Sequence, residues 1–226
     1  VLGDFSDTLF FVQFFRSLLL GMIKDIVFDF GGVLVDLAPD EAIRRLISLG
    51  IRDANTLLDP YLQRGVFKLL EDGTLTTEEF EQELRDTYKK EFTHEQLLWA
   101  IGGFIKGIPL YKFETLRKLQ KEFRVSVLSN TNPYILEMVD TPSFLNNTPL
   151  SQWVDKIYAS CQMRLLKPDP EIYREMLKQG DMEPSTTLFL DDGWANVEAA
   201  KSVGIRALHV LNGEDWREKV NKIILG

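Results

Sequence analysis

The sequence predicts an α/β protein: a doubly wound, Rossmann-like parallel sheet with an all-helical insert after its first strand. Three observations carry this. Five short apolar runs are each bounded by turn residues, as strands buried on both faces are. Amphipathic helical patterns separate them, which is the alternation of a doubly wound sheet. The interval between the first run and the second is longer than the others and carries helical signals alone.

In chain order, residues 1–21 come first. "VLGDFSDTLFFVQFFRSLLLG" is apolar but interrupted by Gln13 and Arg16, which makes it too short and broken for a membrane span. Asp4 and Asp7 stand where a secretory signal would be basic. The expectation is that Met22 is the native start and 1–21 a non-native extension; the alternative is an amphipathic helix docked on the domain. The first strand is "DIVFDF", Asp25–Phe30, running into a glycine turn. An insert over 38–108 follows. "APDEAIRRLISLG" opens with proline and acids and stops at glycine, and "LTTEEFEQELRDTYKKEF" offers Thr76 or Thr77 as an N-cap. No convincing strand is found between Pro39 and Gly107.

After the insert, "PLYKFETLRKLQKEF" places Leu110, Phe113, Leu116 and Leu119 on one helical face. Strands are expected at Arg124–Ser129, Lys156–Ser160, Thr186–Asp191 and Ile205–Val210. The helices "PDPEIYREMLKQ" and "ANVEAAKSVG" lie between them. The core domain is thus 22–37 together with 109–226. There are no repeats and no low-complexity segments.

The bulk properties bound the function. A net charge of −8 argues against a broad footprint for nucleic acid or an anionic membrane. Cys161 stands alone, so no intrachain disulfide forms, and a reducing, cytoplasmic setting is expected. The chain is expected to work as a monomer or homodimer, with no nucleic-acid or membrane partner.

In open α/β sheets, ligands bind beyond the carboxyl ends of the strands. The residues expected there are Asp29, Ser129, Asn130, Asp191 and Asp192, with Lys167 in the loop "RLLKPDP". Three carboxylates in one crevice call for a hard cation, and Mg²⁺ is its natural form. Such a metal and Lys167 would attract a phosphate dianion, with Ser129 and the amide of Gly32 donating to its oxygens. A carboxylate facing that phosphate can attack it and carry the phosphoryl group.

"FDFGGVLVD", "VLSNTN", "KPDPEIY" and "LFLDDGWANVEAAKSVG" occur in that order, and together the chain resembles the haloacid dehalogenase superfamily. The pairing of the first two looks closest to the branch containing bacterial α-D-glucose-1-phosphate phosphatase. The resemblance implies that the insert is a cap and that Asp29 is the nucleophile. It implies phosphate contacts from Ser129 and Asn130, neutralised by Lys167. Mg²⁺ would be held by Asp29, Asp192 and the Gly31 carbonyl, with Asp191 holding a metal water or Lys167.

One departure matters. Most phosphatases of the superfamily carry a second aspartate two residues after the nucleophile, as general acid and base; here that position is Gly31. Leaving groups that need little protonation are therefore expected. The rival readings are a hydrolytic dehalogenase and a phosphate-binding relative with little turnover. The substrate implied by the resemblance is a small phosphorylated metabolite. Elsewhere, Trp194, Tyr61, Phe67, Phe80 and Trp99 read as core or interface packing, and His94 and His209 as core or surface. Asn196 reads as a brace for the Asp191–Asp192 loop, and Asp36 as an exposed hinge residue.

Overall fold

The computed structural model describes residues 22–58 and 63–224. The reading of 1–21 and the packing role of Tyr61 lie outside the described residues. The central sheet contains β1 (Asp25–Phe28), β4 (Arg124–Ser129), β5 (Lys156–Ala159), β6 (Thr187–Asp191) and β7 (Arg206–His209). Its order is β5-β4-β1-β6-β7, and every pairing is parallel.

Period-two alternation builds two cores from these strands. Ile26, Phe28, Val125, Val127, Leu188 and Leu190 join one apolar cluster, while Val27, Leu128 and Phe189 join the other. The first is covered by α6 (Leu110–Leu119) through Phe113 and Leu116, and by Trp216 just before α11 (Arg217–Ile224). The second is covered by Ile172, Tyr173 and Met176 of α9 (Pro170–Gly180) and by Ala200 of α10 (Trp194–Ser202). Both faces of the sheet are therefore dry, which explains why its strands read as continuous apolar runs. Register aligns Phe28 with Val127 on one side and Leu190 on the other, so Asp29, Ser129 and Asp191 leave the sheet at one edge.

The helices α1 (Pro39–Leu49), α2 (Ala54–Leu57), α3 (Gly65–Glu71), α4 (Thr77–Tyr88) and α5 (His94–Ile101) follow β1. Thr76 caps α4 and Thr93 caps α5, each in a reciprocal box, with Glu79 and Gln96. Gly50 ends α1 in the left-handed conformation that favours glycine. Phe67 and Phe80 meet edge to face at 5.2 Å, and both belong to the same apolar cluster as Phe28.

Three expectations need correction. Residues Ile105–Gly107 form a strand, β3, antiparallel to β2 (Asp36–Leu37), at the place where the helical segment joins the sheet. Two or three residues are too few to show an alternation. Trp99 and Trp194 are not in the core: they are 50% and 61% exposed, with Arg45 over the first ring and Lys201 over the second. Asp36 is half-buried rather than free in solvent, 3.9 Å from the fully buried ammonium of Lys112. No helix among the described residues is long and apolar enough to cross a membrane.

Candidate active site

Asp29 follows β1 directly, and its amide still donates to Leu190 O at 2.8 Å, so the sheet fixes its backbone. Its Oδ1 accepts from Phe30 N at 2.7 Å and lies 2.9 Å from Lys167 Nζ. Oδ2 makes no hydrogen bond among the described residues. One oxygen is anchored and the other is left for chemistry.

Lys167 is 2% exposed and also reaches Asp191 Oδ2 at 2.6 Å. Burial alone would lower its pKa; Asp191 and Asp29 outweigh this and hold it above the ordinary lysine range. Asp191, wholly buried at the end of β6, spends its other oxygen on Gly193 N at 2.7 Å and Asn196 Nδ2 at 2.8 Å. Asn196 therefore sits where a brace for this loop belongs.

Asp29, Asp191 and Asp192 present oxygens within 4.8 Å of one another. Against three carboxylates stands the one ammonium of Lys167. Burial, opposed by Lys167 but reinforced by Asp191 and Asp192, holds the Asp29 carboxyl well above the usual range. Burial and then Asp191 push Asp192 up to about 6. The donor set is all oxygen, and its excess negative charge is what a hard divalent cation would neutralise. The residues fit Mg²⁺.

Two sequence expectations change. The Gly32 amide is not available to a phosphate, because it donates to Val35 O at 2.8 Å. Glycine is required there for another reason: φ is 75°, and a Cβ would stand 2.1 Å from Asp192 Oδ2. The Asn130 side chain is likewise spent, clamping the Lys167 backbone through Nδ2→O at 2.9 Å and N→Oδ1 at 2.8 Å. It positions the lysine loop, and Asn132 caps the helix α7 (Pro133–Val139) that follows.

Asp29, Gly31, Ser129, Asn130, Lys167 and Asp192 line one cavity of about 120 Å³. Its opposite wall comes from the helical segment and its return strand: Leu58, Gln63, Phe67, Glu71, Ile101 and Ile105. Where a side chain on Gly31 would project, Leu37 Cδ1 lies 2.9 Å from the ideal Cβ position.

The sequence reading missed Glu71 and the contact that places it. Ser160 Oγ lies 2.7 Å from Glu71 O and 3.0 Å from Thr131 O, and accepts from Thr131 N at 2.9 Å. One hydroxyl thus joins the end of α3 to the segment following β4. Gly73 presses on Cys161 beside it, where a Cβ would be 2.1 Å from the Cys161 carbonyl oxygen. The available signal was an acid at a helix end before a glycine turn, "LLEDGT".

An open parallel sheet with a carboxylate-rich crevice at its carboxyl edge and a helical wall over it defines a class of α/β hydrolytic proteins rather than one activity. The chain belongs to the haloacid dehalogenase-like hydrolases, whose family model matches residues 23–204. It is 42% identical over 204 residues to D-ribitol-5-phosphate phosphatase of Bacteroides thetaiotaomicron, covering 90% of this chain and 99% of that one. Among solved structures, it is similar to one described as a predicted HAD-like family hydrolase from Porphyromonas gingivalis. The TM-score is 0.87 at 41% identity, over 91% of this chain and 99% of that one. It is also similar to a HAD family enzyme from Bacteroides thetaiotaomicron in complex with magnesium and inorganic phosphate. There the TM-score is 0.79 at 30% identity, over 87% and 98% of the two chains.

Proposed function

We propose that this chain is a Mg²⁺-dependent phosphatase of small phosphorylated sugars or sugar alcohols, with Asp29 as nucleophile. The observation that carries the reading is the division of labour within one carboxylate. Asp29 Oδ1 is tied to Phe30 N and Lys167, while Oδ2 is left unbonded in a residue that lines the cavity.

Asp29 Oδ2 attacks phosphorus, and the electron pair of the breaking P–O bond goes to the ester oxygen. Water then cleaves the aspartyl phosphate, releasing inorganic phosphate and restoring the carboxylate. Lys167 and the Ser129 hydroxyl hold the phosphoryl oxygens. Asp191 keeps the ammonium in place, and Asn130 fixes the loop that carries it. Asp29, Asp192 and the Gly31 carbonyl, with Asp191 beside them, would hold Mg²⁺, which would supply charge neutralisation for the phosphate.

The helical segment over 38–108 serves as a cap on a core made of 22–37 and 109–226. A cavity of about 120 Å³ is small beside ordinary ligand pockets of about 300–1,000 Å³, so the cap opens to admit substrate and closes to exclude water. The relative named for D-ribitol 5-phosphate supports a short polyhydroxylated substrate, and the reading takes the reaction to be cytoplasmic. Such a compound is a primary alkyl ester, whose leaving oxygen does need a proton. This moves the reading away from the undemanding leaving groups suggested by Gly31 alone.

A panel of sugar, polyol, aryl and acyl phosphates, assayed with and without Mg²⁺, tests the proposal. Phosphate release that requires Mg²⁺ and disappears in Asp29→Asn is expected. Halide release from 2-haloacids without metal, or no phosphate release across the panel, would overturn it.

A further inference from the structure

Without an acid at Gly31, an alkyl phosphate still needs a proton delivered to its departing oxygen. The geometry points to the Glu71 carboxyl as the group that gives this proton and later takes one from the attacking water. The inference rests on the phosphatase reading above.

Glu71 ends α3 and lines the same cavity as Asp29, Lys167 and Asp192. Its carboxylate makes no hydrogen bond or ion pair with any described residue, so a ligand can engage it. Its backbone is held: Ser160 grips the carbonyl at 2.7 Å, and the Gly73 turn rests on Cys161. This docking sets the acid on the cap side of the cavity, the side a leaving group must occupy when Asp29 attacks from the sheet. Leu37 Cδ1 lies 2.9 Å from where a Cβ on Gly31 would stand, so an acid there would have to displace the end of that side chain.

The charges are suitable. Burial pushes Glu71 up to about 7; Lys167 opposes this from across the cavity, Asp72 reinforces it and Lys68 opposes it. The Cys161 thiol is the titratable neighbour from the core side, and Asp29 and Asp192 share the cavity. A carboxyl titrating near neutrality is a competent proton donor and acceptor. In the first step the P–O ester bond breaks, its electron pair stays on the leaving oxygen, and that oxygen takes the Glu71 proton. In the second, Glu71 carboxylate removes a proton from water as it attacks phosphorus and the Asp29–P bond breaks. The enzyme returns to its starting state.

The test compares D-ribitol 5-phosphate with 4-nitrophenyl phosphate, whose leaving group needs no proton, in wild type, Glu71→Gln and Glu71→Asp. For Glu71→Gln, kcat/KM, which reports formation of the aspartyl phosphate and not its hydrolysis, is expected to fall about 10²–10⁴-fold on the alkyl ester and less than about tenfold on the aryl ester. The alkaline fall in kcat/KM on the alkyl ester should vanish, and Glu71→Asp should recover part of the loss. Thermal melts verify that both variants fold. Equal losses of kcat/KM on both esters would overturn the assignment while the phosphatase reading stood. A wild-type enzyme that releases phosphate from neither ester would overturn both.

Discussion

The carboxylate of Asp192 fills the space in which a side chain on Gly32 would stand, 2.1 Å from the ideal Cβ position. Gly32 is thus the seat of the Asp192 carboxylate, the proposed metal ligand, rather than a donor to phosphate. In Gly32→Ala, the methyl group must displace Asp192 or tilt the turn. The Mg²⁺ concentration for half-maximal activity should rise about 10–100-fold, as it does when a metal ligand's support is lost. The φ of 75° adds a stability loss of about 1–2 kcal/mol. A Mg²⁺ titration and a denaturant melt read the two effects separately, and an unchanged titration would refute the steric argument.

Lys167 is the cation that makes the buried acids tolerable. Replacing it in Lys167→Met keeps the length and leaves Asp29 and Asp191 without their partner. Activity should be lost, and stability at neutral pH should fall by about 3–5 kcal/mol. The pH dependence has a definite sign. Burial already raises the Asp29 pKa above its unfolded value, and Lys167 opposes that rise. Removing the lysine raises it further, so the variant's stability should fall as pH rises through the Asp29 range and recover in acid. Melts from pH 4 to 8 check this; a loss that is the same at every pH would contradict it.

Much of this site was legible because both faces of the sheet are buried. Strands such as "VFDF" and "TLFLD" announce themselves as apolar runs, and an acid at their carboxyl end then stands out. What was hidden depends on contacts between segments distant in sequence. Asn130 looks like a phosphate ligand until its amide is seen on the Lys167 backbone, 37 residues on. Gly32 looks like an anion-binding amide until Val35 O is found accepting from it. Glu71 is one of many helical acids, and its docking by Ser160 spans 89 residues. Trp194 follows a site loop but faces solvent, which apolar character alone does not reveal.

His94 on α5 bridges Glu81 on α4 and Glu137 on α7, at 3.1 and 2.8 Å. It therefore fastens two helices of the proposed cap to a helix after β4. Burial lowers its pKa, but the bonds to Glu137 and Glu81 more than offset this and leave it raised. A raised histidine contributes stability fully below its unfolded pKa and loses it as pH climbs through the folded value. Wild type should lose up to about 1 kcal/mol between pH 6 and 9 relative to His94→Gln, because the pair is partly exposed. Parallel melt curves for the two proteins across that range would dismiss the latch.

Leu37 stands where the missing acid of Gly31 would go, with Cδ1 2.9 Å from the ideal Cβ. Its amide is held by Asn212 Oδ1 at 3.1 Å, so the side chain, not the backbone, must give way. Gly31→Asp alone should therefore cost about 1–3 kcal/mol through overpacking. Adding Leu37→Ala should relieve the crowding, so that the double variant is more stable than the sum of the singles by at least about 0.5 kcal/mol. In a Glu71→Gln background, the same pair places a carboxyl on the sheet side of the leaving oxygen. Turnover of the alkyl ester should then recover at least about tenfold, a share of what a positioned acid contributes. Recovery on the alkyl ester without a matching gain on the aryl ester would place the departing oxygen between Gly31 and Glu71. No recovery in a double variant that binds Mg²⁺ normally would remove it from there.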